Sequence, residues 1–162
     1  MKRIGVISDT HIPKSAPDIP ESVYKELRGV DLILHAGDLV EISVFEKLKK
    51  IAPTRAVCGN MDMHEVQAAF PQKDIIDVGG FKIGLIHGYG PPGKIVETVS
   101  KEFSGVDAIV FGHSHSPLSI RIKNKLFFNP GSPTDKIFAP YNSIGILEVG
   151  KEVKGTIIRL TG

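Results

Sequence analysis

Five short apolar runs, RIGVIS, DLILHA, TRAVC, FKIGLI and DAIVF, recur between residues 3 and 111. Each has the length of a strand and each runs into a polar or glycine-containing turn, which predicts buried β-strands. Between several of them lie ESVYKELR, SVFEKLKK and GKIVETVSKEF, where apolar residues return at helical spacing and charges occupy the opposite face. These predict amphipathic helices, and strand followed by helix, repeated, predicts a largely parallel sheet. The stretch DIIDVGGFKIGLI breaks that alternation, because Gly79 and Gly80 suit the tight turn of a hairpin. Beyond residue 117, LSIRIKNKLFFNPGS and NSIGILEVGKEVKGTIIRL alternate and turn like antiparallel hairpins. The expectation is mixed sheets flanked by helices, not a plain doubly wound fold.

The turn after each strand carries the chemistry. RIGVIS leads to Asp9-Thr10-His11, DLILHA to Gly37-Asp38, TRAVC to Gly59-Asn60, FKIGLI to His87-Gly88, and DAIVF to Gly112-His113-Ser114-His115. In open α/β sheets, sites form outside the carboxyl ends of the strands, so five distant segments are expected to converge on one crevice. The set holds carboxylates, imidazoles and one amide oxygen but no thiolate. That mixture suits Mn²⁺, Fe²⁺, Co²⁺, Ni²⁺ or Zn²⁺ better than a structural zinc cage, and manganese is the expected ion. Seven side chains are too many for one ion and fit two, with one carboxylate shared and positions left for water and substrate. Two divalent ions facing Asp9, Asp38 and one hydroxide keep a net positive charge, which invites an anion. Phosphoester hydrolysis by in-line attack of a hydroxide held between the two ions is the expected reaction.

Composition narrows the partners. A chain of 162 residues with 41% hydrophobic and 23% charged residues is expected to form a single domain over residues 1–162. A formal charge of +2 without a long Lys/Arg run disfavours a surface built to neutralise nucleic acid. The one cysteine, Cys58, allows no internal disulfide, and the apolar stretch in MKRIGVIS is too short for a signal peptide. A cytoplasmic protein with a small phosphoester substrate is expected, with no membrane partner; a homo-oligomer is compatible.

In order, DTH, GD, GNMD, HG and GHSH resemble the motif series of the calcineurin-like metallophosphoesterases, from residue 9 to residue 115. With NPGS at 129–132 the chain looks most similar to the small prokaryotic phosphodiesterases of that superfamily, whose fold the small vacuolar-sorting subunit of retromer shares. The resemblance implies an α/β fold with four layers, two mixed β-sheets face to face between helices. It implies one metal held by Asp9, His11, Asp38 and His115 and another by Asp38, Asn60, His87 and His113, with Asp38 as the bridge. Asp38, Asn60 and His87 are the residues expected to carry catalysis. An inactive interaction scaffold of the same fold, or a nuclease, are the alternatives.

Two positions depart from the family. Where many relatives have His after the Asn of G-N-H-D/E, this chain has Met61, and a thioether donates no proton. Where relatives often carry a further His, this chain has Tyr89, a candidate substrate contact, as is Ser132 of NPGS. HGYGPPGKI matches the first seven positions of a phosphate-binding loop, but Ile95 replaces the Ser/Thr, and Pro91 and Pro92 lack the N–H groups such a cradle needs. It is expected to be a loop and helix entry. His35 reads as a buried, hydrogen-bonded histidine, His64 as a solvated one and Cys58 as buried. Asp62 reads as a turn or helix-start residue, and Lys14 and Lys94 as solvent-facing.

Overall fold

Alternate residues of one strand face opposite sides, so a strand buried on both sides reads as an unbroken apolar run. β1 (Lys2–Ile7) shows this in the computed structural model, which describes residues 1–161. Ile4 and Val6 enter one hydrophobic cluster, while Ile7 enters another on the far face. β2 (Leu32–His35) does the same with Leu34 and Ile33. Together with β3 (Thr54–Ala56), β9 (Ser143–Val149) and β10 (Val153–Arg159), these strands form a sheet in the order β10-β9-β1-β2-β3. β1, β2 and β3 run parallel; β9 and β10 are antiparallel additions.

The second sheet has the order β4-β5-β6-β8-β7, from β4 (Lys73–Val78), β5 (Phe81–Ile86), β6 (Ala108–Val110), β7 (Leu118–Ile122) and β8 (Lys125–Asn129). The expected hairpin closes at Gly79 and Gly80, both with positive φ, so that Val78 pairs with Phe81. β5, β6 and β8 are parallel, and β4 and β7 are antiparallel edges. The pairing of β8 with β6 is not legible in the sequence, where LSIRIKNKLFFNPGS reads only as a hairpin. That hairpin exists, but its second strand lies between β6 and β7 and points its end the same way as β6.

Three hydrophobic clusters separate four layers. Between the sheets lie Leu34, Leu85, Val110, Phe128 and Leu147 with their neighbours. Outside the first sheet, α1 (Glu21–Leu27) inserts Val23 and Leu27, and α2 (Ser43–Lys49) inserts Val44 and Leu48, each pair four residues apart on one helix face. Outside the second, Ile95 and Val99 of α4 (Ile95–Ser100) pack with Phe103, Ile109 and Phe127. Each fully buried aliphatic side chain of this kind contributes roughly 1.5–3 kcal/mol. The four-layer sandwich and its two mixed sheets are as expected. A further helix, α3 (His64–Ala69), is not signalled by the sequence, because it buries one apolar residue, Val66, and so carries no periodic stripe. HGYGPPGKI is loop followed by a 3-10 turn over Pro92–Lys94 that enters α4. Among the described residues, no helix is long and apolar enough to cross a membrane.

Candidate metal centre

The parallel strands end along one edge of the sandwich, and each delivers its polar residues there. Asp9 and His11 come after β1, Asp38 after β2, Asn60 after β3, His87 after β5, and His113 and His115 after β6. Asp9, His11, Asp38, His113 and His115 all have positive φ, between 45° and 72°. Side chains other than glycine rarely adopt that region, and it concentrates at functional sites. The adjoining glycines make room. A Cβ on Gly112 would lie 2.1 Å from Ser8 Oγ and 2.6 Å from Asp9 Oδ2; one on Gly59 would lie 2.2 Å from Asp38 Oδ1.

Two three-residue groups have ligand atoms within 4.8 Å of one another: Asp9, His11 and His115, and Asp9, Asp38 and His87. Asp9 is common to both. Its Oδ2 accepts from Ser8 Oγ at 2.8 Å and from the His113 amide at 3.0 Å, which turns Oδ1 towards three imidazoles. Oδ1 lies 3.6, 3.7 and 3.4 Å from Nε2 of His11, His87 and His115. Asp38 is built likewise: Oδ1 accepts from the Met61 amide at 2.8 Å, and Oδ2 lies 3.4 Å from His11 Nε2 and 3.1 Å from His87 Nε2.

The tautomers are set by the partners. A carbonyl can only accept, so His87 donates Nδ1–H to Ala36 O at 2.8 Å and turns Nε2 towards the carboxylates. His115 donates Nδ1–H to Asp135 Oδ2 at 2.6 Å, again leaving Nε2. His113 places Nε2 3.2 Å from Gly90 O, so Nδ1 is its free atom. Asp9 Oδ1, His11 Nε2 and His87 Nε2 are buried without a hydrogen-bond partner among the described residues. A buried orphan of this kind costs about 1–3 kcal/mol, and three orphans, one carboxylate oxygen and two imidazole nitrogens, are a donor set that fits divalent cations.

Charge supports the same reading. Burial pushes the Asp9 and Asp38 carboxyls up, but the neighbouring imidazoles outweigh it and hold both well below the usual carboxylate range. Conversely, burial opposes protonation of His11 and His87, yet Asp9 and Asp38 raise each from 6.5 to about 9. His35, by contrast, is pushed down to about 3 by burial. It takes the Gly37 amide at Nδ1 and shares Nε2–H with Thr10 Oγ1, which makes it the buried, neutral histidine expected.

Asn60 is exposed beside His87 on a shared cleft, and His113 packs edge-on against His87 at 5.3 Å between ring centroids. Tyr89 is 54% exposed on the same cleft. Ser132 differs from the expectation of a substrate contact. It is fully buried, donates its hydroxyl to Asp9 O at 2.8 Å and receives the Asp135 amide, so it braces the Asp9 turn from behind. Asp62 lies in the turn before α3, as expected, and its carboxylate accepts the amides of Gly59, Asp38 and Val40, tying the loop after β2 to the loop after β3. His64, Lys14 and Lys94 are exposed, and Cys58 is half-buried.

Asp135 escapes sequence reasoning. Besides His115, it accepts the amides of Ile137, Phe138 and Ala139. Burial alone would raise its pKa, but His115 and these amides outweigh burial and keep it low. The signal present is its place three residues after NPGS, but that segment reaches the site only because β8 is parallel to β6. Carboxylates that hold the far nitrogen of a ligating histidine typically contribute 10–100-fold to metal affinity. Asp135→Asn is therefore expected to weaken cation binding by about that factor, measured by calorimetry, with the circular dichroism spectrum unchanged. Unaltered affinity would remove Asp135 from the support of His115.

A two-sheet sandwich thus gathers carboxylates and imidazoles at one strand edge, a donor set for divalent cations. The model of the calcineurin-like phosphoesterase superfamily domain matches residues 1–152, and this chain belongs to that family. A probable metallophosphoesterase of Methanothermobacter thermautotrophicus is 38% identical over 162 residues, covering 96% of this chain and 91% of that protein. Among solved structures, Vps29 of Chaetomium thermophilum superposes with a TM-score of 0.79 at 22% identity, covering 99% of each chain. A novel archaeal phosphodiesterase gives 0.79 at 23% identity, over 98% of this chain and 99% of its own.

Proposed function

We propose that the protein is a phosphodiesterase that works with two divalent cations, manganese foremost, on a small phosphoester. The observation that carries this reading is Asp9, whose unpaired Oδ1 is common to both ligand groups. His11 and His115 would complete one position, and His87, Asn60 and His113 the other, with Asp38 Oδ2 reaching towards both through His11 and His87. Such a pair supplies Lewis-acid activation of water and neutralises charge on the phosphoryl oxygens. The chain's own residues do the rest. Ala36 O and Asp135 fix which ring nitrogen of His87 and of His115 turns to the centre, and Asp62 locks the Asp38 and Asn60 loops together. Purified protein loaded with manganese should bind two ions and hydrolyse bis(p-nitrophenyl) phosphate. No turnover with any of several transition metals would favour the scaffold reading, which draws on the Vps29 likeness.

The position after Asn60 supplies no proton for the departing alcohol. Met61 is 42% exposed and offers only a thioether. General-acid assistance is often worth about 10²–10⁴ in rate, so aryl phosphodiesters are expected to turn over at least about 10² faster than dialkyl ones under chemistry-limited conditions. Equal rates would mean that another group donates the proton.

A further inference from the structure

Beside the Asn60 and His87 end of the centre lies a cleft of about 670 Å³. It opens between the two sheets where the chain crosses from β3 through α3 to β4. Its size is that of a pocket for a group as large as a nucleoside. One wall is Tyr89, whose ring is exposed but whose hydroxyl is tethered to Glu102 Oε2 at 2.8 Å. The lining also includes Phe70, itself fixed against Phe45 with ring centroids 4.7 Å apart. Next to Tyr89 the Lys73 ammonium pairs with the other oxygen of the same Glu102, Oε1, at 3.2 Å, so the charges there cancel. Gln72, exposed on the rim, offers an amide donor and acceptor.

Such a pair suits neither a second anion nor a cation. Two anchored aromatic rings suit a planar face, and an amide suits a hydrogen-bonding edge. Resting on the phosphodiesterase reading, we propose that this cleft holds the organic arm of the substrate and selects a nucleobase-type heterocycle, with Tyr89 and Gln72 as specificity-determining residues. The cleft and the cation centre then bind opposite ends of one molecule. The phosphate fixes where the arm begins, and Tyr89 stacks on its plane.

The test is binding to the metal-loaded full chain of two phosphates that differ only in the arm, thymidine 5′-monophosphate and methyl phosphate, by calorimetry. The nucleotide is expected to bind at least about tenfold more tightly, which is the scale of one base–aromatic stack. Tyr89→Ala should abolish that preference, Tyr89→Phe, which keeps the ring without its tether to Glu102, should keep most of it, and Gln72→Trp, which replaces the rim amide with a bulky ring, should abolish it by a separate route. Equal affinities in the wild type, a preference that survives both Tyr89→Ala and Gln72→Trp, or no binding of either phosphate would each overturn the proposal. Hydrolysis of bis(p-nitrophenyl) phosphate, measured in parallel, separates the two readings. Nucleotide preference without turnover would refute the phosphodiesterase and leave the cleft standing; turnover without preference would do the reverse.

Discussion

Asp9→Asn is expected to remove both cations and to lower phosphodiesterase turnover by roughly 10³-fold or more, since several kcal/mol of transition-state stabilisation depend on them. The substitution is nearly isosteric, and the existing hydrogen bonds dictate how the amide must sit. Ser8 Oγ and the His113 amide both donate to Asp9 Oδ2, so the amide oxygen has to take that position. Its NH₂ then replaces Oδ1, the one atom that faces His11, His87 and His115. A negative ligand becomes a donor aimed at a cation. The same logic applies to Asp38→Asn, where the Met61 amide claims the oxygen and the NH₂ faces His11 and His87. Elemental analysis of both variants, with circular dichroism to show the fold intact, is the measurement. An Asp9→Asn protein that retains two cations and more than a tenth of its activity would take Asp9 out of the ligand set. An Asp38→Asn protein with full metal content would take Asp38 out of the ligand set, leaving Asp9 as the one carboxylate common to both groups.

Cation uptake is expected to release close to two protons near pH 7.5, and apparent affinity to rise by up to about 100-fold per pH unit until pH 9. Ordinary imidazoles lose their protons by about pH 6.5, so the sequence alone predicts weakened affinity only below that value. Here Asp9 and Asp38 raise His11 and His87 to about 9 against the opposing effect of burial. In metal-free protein both are therefore protonated at neutral pH, and a cation must displace both protons. Stability changes with a definite sign. Because these two pKa values are raised on folding, their contribution is fully present below about 6.5 and fades as pH climbs through 9. Asp9 and Asp38 are lowered on folding, so theirs is present above about 3.9 and fades in acid. The metal-free protein should be most stable between those limits, and the stabilisation by metal should grow above them. Calorimetric titration in buffers of different ionisation enthalpy counts the protons; a count near zero at pH 7.5 would contradict the charge arrangement described.

Much of the centre is legible in the sequence because its grammar is local. A buried parallel strand reads as an apolar run, and its carboxyl end follows directly, so Asp9, Asp38, Asn60, His87 and His113 can be collected by reading one or two steps past each run. Glycines flanking them mark where backbone must approach closely, as Gly59 and Gly112 do against Asp38 and Asp9. Asp135 lies beyond no such run in the sense that matters. Its segment reaches the edge through the parallel pairing of β8 with β6, a choice made by strand order and not by the residues near it. Ser132 stands out for its motif, but burial and a single hydrogen bond to Asp9 O, 123 residues away, decide its role.

By itself, the sequence determined the alternation of strands and helices, the mixed character of the sheets, and the kinds of donor brought to one edge, since side-chain period and strand polarity are properties of short segments. Only the tertiary structure decided which oxygen of Asp9 is free, which ring nitrogen of His87 and His115 a partner engages, that Asp62 and Asp135 act by holding loops and rings, and that a cleft with Phe70 and Tyr89 in its lining adjoins His87. Those outcomes depend on hydrogen bonds and dielectric environment between segments far apart in the chain, and direction and burial exist only once those segments have met.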